Sequence, residues 1–168
     1  MSAKAASSPG RKKASNMFKE AKSFSSFSVN DLQKAKEFYS QTLGLDVKET
    51  PEGLELDTDD NIVFLYPKPN HTPASFTVLN FAVDDIDAAV DELNGLGVNL
   101  EHYNLPDIKT DERGIARAPH GPAAIAWFKD PAGIAGTPFN NGSSDADTTP
   151  SRKALITTAR RGLAVSFA

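Results

Sequence analysis

The 168-residue chain, 39% hydrophobic and 24% charged, has the balance of one ordinary globular domain with tails. It contains no cysteine, which excludes disulfides, thiolate metal sites and a cysteine nucleophile. The net charge is −4 and no apolar run approaches the ~20 residues of a membrane-spanning helix, so neither nucleic acid nor a membrane is an expected partner.

Residues 1–21 are a basic, Ser/Ala-rich head with Lys4, Arg11, Lys12, Lys13 and Lys19 against Glu20, and read as a disordered tail. The head lacks the apolar stretch of a secretory signal, so the expected location is cytoplasmic. The domain is expected over residues 22–139, in modules of about 22–68 and 75–139, because an internal repeat runs through them. Phe27, Val29, Asp31, Leu32 and Ala35 recur 54 residues later as Phe81, Val83, Asp85, Ile86 and Ala89. Gly44 and Gly97 are 53 apart, so the second helical region is one residue shorter.

Taken in order, Phe27 and Val29 alternate with Ser26 and Ser28 as a strand with one buried face. Asn30 or Asp31 then caps a helix whose apolar stripe is Leu32, Ala35, Phe38 and Tyr39, and Gly44 ends it. Strands are expected at 45–48, 53–57 and 61–66. The second copy repeats the order. Leu79, Phe81 and Val83 lead to Asp84 or Asp85 as cap, then to Ile86, Ala89, Val90, Leu93 and Leu96. Strands follow at 98–102, weakly at 114–117, and at 123–129.

Beyond Gly133, Gly136 and Pro138 weaken the strand that would close the second sheet, so a missing final strand is expected. The exposed edge then has three candidate explanations: residues 163–167 swinging back to cover it, a partner chain, or a gene end altered by a frame shift. Residues 140–168 read as a polar linker and a separate C-terminal tail.

Three pieces together carry a family resemblance: Val29-Asn30-Asp31-Leu32 with Ala35 and Phe38-Tyr39; Leu43-Gly44-Leu45; and Trp127-Phe128-Lys129-Asp130-Pro131-Ala132-Gly133. In this order and spacing they resemble the vicinal oxygen chelate superfamily of glyoxalase I, bleomycin-resistance proteins, fosfomycin-resistance enzymes and extradiol dioxygenases. The resemblance covers about residues 22–133. It implies an α+β fold of two βαβββ modules whose curled mixed sheets form a cleft, a small-molecule ligand, and a homodimer as the assembly.

Many members of that superfamily hold a divalent metal as a Lewis acid. The motifs carry its three ligand positions onto Phe24, Val78 and the neighbourhood of Thr137. Phenylalanine and valine have no donor atom, and a neutral threonine hydroxyl replaces a carboxylate poorly. The resemblance therefore leads to a protein that binds a small organic molecule, with no cofactor and no family-type metal. Two alternatives stand beside it. One is a metal-dependent lyase or isomerase of the glyoxalase type with a rearranged site; the other is a degenerate or regulatory interaction module. Whether the chain is an enzyme stays open.

If Phe27 and Val29 pack beneath the helix, strand alternation turns Phe24, Ser26 and Ser28 to the cleft, and likewise Val78, Asn80 and Ala82 in the second module. His120, in a loop over the cleft of the resembled fold, completes a candidate ligand-binding set of Phe24, Ser26, Ser28, Val78, Asn80 and His120. Phe64 or Tyr66 would add an aromatic wall. His71 reads as an exposed loop residue and His102 as a strand-end surface residue. The acidic run Asp84, Asp85, Asp87, Asp91 and Glu92 reads as a helix cap and a solvated face. No nucleophile–base pair and no Gly-rich phosphate loop is present.

Overall fold

The computed structural model describes residues 20–58, 61–119 and 123–140. The basic head up to residue 19, His120 and the segment 163–167 lie outside the described residues. The first module runs β1 (Ser25–Val29), α1 (Leu32–Glu37), a π-helical turn (Phe38–Thr42), β2 (Asp46–Thr50), β3 (Gly53–Asp57) and β4 (Ile62–Pro67). The second runs β5 (Thr77–Ala82), α2 (Ile86–Gly95), β6 (Ile115–Arg117), β7 (Ala124–Ala126), β8 (Phe128–Lys129) and β9 (Ala135–Asn140).

Each sheet has the same topology. The first is ordered β1-β4-β3-β2 and the second β5-β9-β7-β6, with a parallel pair (β1–β4, β5–β9) at the start of each path. The sequence repeat is therefore a structural repeat. Aspartate caps start both helices: Asp31 accepts from Lys34 N at 3.1 Å, and Asp85 accepts from Asp87 N at 2.9 Å and Ala88 N at 3.1 Å. Gly44 and Gly97 end them at φ 69° and 77°, where an L side chain would be strained. The extra residue of the first helical region is absorbed by the π turn, in which Leu43 N donates to Phe38 O at 2.9 Å across five residues.

The expectation of a missing final strand is corrected. Residues 135–140 form β9, paired in parallel with β5 and antiparallel with β7 and β8. Its two unfavourable residues have identifiable places. A Cβ on Gly136 would stand 2.5 Å from Phe128 Cζ, so the glycine lets the Phe128 ring lie across the strand. Ala124 and Ile125 pair with Asn140 and Phe139, and Phe128 and Lys129 pair with Gly136 and Ala135, on one continuous register. β7 and β8 are thus one strand, interrupted opposite Thr137 and Pro138, where proline offers no N–H.

A second correction concerns 98–102, which does not form a strand. Its pairing with the sheet is the bridge Leu100–Phe128 and a bond from Glu101 N to Trp127 O at 2.8 Å. From Tyr103 the chain turns back on itself through Leu105 and Ile108, with Thr110 bonded to Tyr103. This detour packs Ile108 and Tyr103 against Trp127 and Ala116, and leaves β6 as the sheet edge.

The cores lie on the helix sides of the sheets. Phe27, Val29, Ala35, Tyr39, Leu56 and Leu65 form the first, which Leu79, Ala132 and Ile134 of the second module complete. Ile86, Val90, Ile115, Ala124 and Ala126 form the second. Phe128 joins them, with ring centroids 6.1 Å from Phe38 and 6.3 Å from Phe81. Full burial of a side chain such as Leu65 stabilises by about 1.5–3 kcal/mol. Since each module supplies part of the other's core, that stabilisation is shared across the repeat.

Candidate functional site

The side chains of β1 divide by parity. Phe27 and Val29 enter the first core, whereas Ser26 and Ser28 stand on the face turned away from α1. Register extends this open face across the sheet: Ser28 lies beside Tyr66, while Ser26, Phe64, Glu55 and Lys48 form one row. Ile62, Asp57 and Asp46 form the next. Phe24, one residue before β1, is 68% exposed.

In the second module Asn80 is on the corresponding face of β5, opposite Thr137 of β9. The Thr137 side chain is fully buried, and its hydroxyl donates to Asn80 Oδ1 at 2.8 Å. Val78 departs from the alternation. The β5–β9 register shifts between Thr77 and Leu79, and Val78, instead of facing the cleft, packs half-buried against the first core.

His71, expected as an exposed loop residue, is instead half-buried with both ring nitrogens engaged. Nε2 lies 3.0 Å from Ala132 O, which accepts only, so Nε2 carries the proton and donates. In the neutral ring Nδ1 is then the acceptor for the Ser28 hydroxyl, 2.9 Å away. His71 therefore ties the open face of the first sheet to the Asp130–Gly133 turn of the second module. Its partners are 43 and 61 residues away in sequence, and no local pattern announces them.

That turn holds a buried carboxylate. Asp130 Oδ1 accepts from Ala132 N at 2.9 Å and Ile134 N at 2.7 Å, and Oδ2 accepts from the Tyr39 hydroxyl at 2.9 Å. Burial pushes the Asp130 carboxyl above the usual carboxylate range, against the opposing pull of these hydrogen bonds. Burial first, then the charge of Asp130, raises the Tyr39 hydroxyl far above its ordinary value. The pair fixes the two modules to each other and is closed to solvent.

The acidic run resolves into structure. Asp85 is the cap, and Asp87 takes Arg117 at 2.7 Å and also pairs with Arg113. Hydrogen bonding from Arg117 is the largest influence holding the Asp87 carboxyl below its usual range. These ion pairs link α2 to β6 and its preceding loop.

Comparison with known proteins places this geometry. The model of the Glyoxalase/Bleomycin resistance protein/Dioxygenase superfamily matches residues 24–135. The chain belongs to this superfamily. Solved structures agree in fold: FosX, a fosfomycin resistance protein from Listeria monocytogenes, is similar at TM-score 0.55 and 11% identity, over 72% of this chain and 93% of that one. Lactoylglutathione lyase from Agrobacterium tumefaciens is similar at TM-score 0.51 and 18% identity, over 72% and 93%. A glyoxalase/bleomycin resistance protein/dioxygenase from Alicyclobacillus acidocaldarius is similar at TM-score 0.54 and 14% identity, over 72% and 91%. At these identities the likeness is one of fold. No curated protein sequence matches the chain.

The glyoxalase-type metal can now be tested against the residues present. At its three expected positions stand an exposed phenyl group (Phe24), a valine packed into the core (Val78) and a buried hydroxyl already donating to Asn80 (Thr137). This donor set does not fit a divalent cation. Among the described residues no three of His, Cys, Asp and Glu converge, and no helix is long and apolar enough to cross a membrane.

Two cavities lie on the helix side, where the sequence suggested none. One of about 420 Å³ is lined by Phe38, Thr42, Leu96, Asn99, Lys129 and Pro131. The other, about 150 Å³, is lined by Leu43, Leu45, Phe81, Leu93, Phe128 and Pro138. Both follow the seam between modules, away from Ser26, Ser28 and Asn80.

Proposed function

We propose that this superfamily member binds a small organic molecule at the open sheet faces and has no family-type metal site. The chemistry of Phe24, Val78 and Thr137 carries the proposal: a phenyl, an isopropyl and a committed hydroxyl stand where the superfamily's ligands would be. Support for binding comes from the mixed character of the faces, with Phe64 and Tyr66 beside Ser26 and Ser28 on the first sheet and the polar Asn80 on the second. Small-molecule sites combine an apolar surface with a few placed polar groups.

His120, which the resemblance sets over the cleft and which lies outside the described residues, is kept in the proposed set. A homodimer goes with this reading, since Phe24 and Ile62 at the rim are 68% and 46% exposed and a second copy would cover them. The cytoplasm is the proposed location for this cysteine-free chain.

A thermal-shift screen of the full chain against small organic molecules tests the proposal. A ligand present at 100 times its Kd stabilises by about 2.7 kcal/mol, which shifts the midpoint by several degrees. The expected result is such a shift, reduced by Tyr66→Ala. No shift with any ligand, together with a stable heteromeric partner, would instead support an interaction module.

A further inference from the structure

The open face of the first sheet is graded in chemistry. On the β4 side it is apolar: Ile62 and Tyr66 are 46% and 38% exposed, and Phe64 between them is half-buried. The ring contacts among the described residues run through Phe27, Tyr39, Phe38, Phe128, Phe81 and the Tyr103–Trp127 pair, so the faces of Phe64 and Tyr66 carry no stacked ring. A Cβ on Gly53 would stand 2.0 Å from the Leu65 carbonyl oxygen, so the close approach of the β4 backbone requires glycine there, with the Phe64 ring lying next to it.

On the β2–β3 side the same face is acidic. Glu55, Asp57 and Asp46 stand there, and Lys48 is already held by Glu55 at 3.2 Å. Asp46 and Asp57 are directly opposite in the antiparallel pair, an arrangement of like charges that a neighbouring cation relieves. Among the described residues the face thus places exposed aromatic surface next to a neutralised Lys48–Glu55 pair and the two further carboxylates of Asp46 and Asp57.

We infer that the ligand of this site is a planar aromatic cation, its ring laid on Phe64 and Tyr66 and its charge towards Asp57 and Asp46, the carboxylates beyond the Lys48–Glu55 pair. The inference rests on the small-molecule reading above and narrows it to one ligand chemistry. Aromatic faces attract cations through their quadrupole, and nearby carboxylates add Coulomb attraction. An anion of the same shape meets the opposite sign on both counts and finds no uncommitted lysine or arginine in these rows.

Fluorescence titration of the full chain with three tricyclic probes tests the assignment: proflavine as cation, acridone as neutral ring and anthracene-9-carboxylate as anion. Proflavine is expected to bind about tenfold more tightly than acridone, with the anion weakest. Asp57→Asn with Asp46→Asn is expected to bring proflavine towards acridone while leaving acridone unchanged. Tyr66→Ala weakens both. Glu92→Gln on α2 removes the same charge away from the face and leaves proflavine unaltered; an equal loss there would show adsorption to an acidic surface and overturn the inference. Tighter binding of the neutral or anionic probe overturns the cation assignment while the small-molecule reading stands. Binding by none of the three also overturns it, and the ligand screen then judges the broader reading by itself.

Discussion

Tyr39 and Asp130 illustrate how single residues hold the repeat together. The hydroxyl is buried because Tyr39 belongs to the first core, and it donates to Asp130. Tyr39→Phe keeps the ring but leaves Asp130 Oδ2 without its donor, which is expected to cost about 1–3 kcal/mol in chemical denaturation. The raised hydroxyl also has a pH consequence. Stability from Tyr39 is fully present below its unfolded pKa of about 10, and falls as the pH rises beyond it, because only the unfolded chain then ionises readily. Alkaline denaturation of Tyr39→Phe should lack that component. Identical alkaline slopes for the two proteins would sink the assignment. His71 acts at the same scale: its two bonds set its tautomer and hold Ser28 in place. Neither the Tyr39–Asp130 nor the His71 connection was legible in the sequence, because each joins residues that only the completed fold brings together.

Elements show where local reasoning succeeds and where it yields. The strand alternation of Phe27 and Val29 and the caps at Asp31 and Asp85 follow from local chemistry, and the structure realises them. β9 is the counterexample. Gly136 and Pro138 are poor strand residues by propensity, yet β9 lies between β5 and β7 in the second sheet, where pairing on both sides and burial of Thr137 outweigh the local cost. The Val78 bulge was equally hidden, since register depends on the partner strand. Gly136→Ala tests this account of β9. Its methyl group meets the Phe128 ring and should destabilise by about 1–3 kcal/mol, part of which Phe128→Leu restores. A neutral Gly136→Ala would mean that the ring does not need the space.

At the scale of the molecule, the repeat yields two sheets of one topology whose helix sides share a core and whose open faces differ. The second is partly filled by Trp127, Tyr103 and Ile108, whereas the first stays open along Phe64 and Tyr66. The order of elements in the first module and the superfamily were legible from the repeated motif, because core positions and turns recur at fixed spacing. The ligand was not, because the open faces consist of alternate residues that leave the repeat free to vary. Sedimentation equilibrium should show a dimer, which Ile62→Asp weakens by placing charge on the rim; a monomer at all concentrations would remove the dimer from the account. The central claim concerns what occupies the site, and metal content tests it most directly. In protein purified without chelators, elemental analysis is expected to find zinc, nickel, manganese and iron each far below one per chain. One equivalent of any of them, lost on His120→Ala, would contradict the claim and restore a rearranged metal centre.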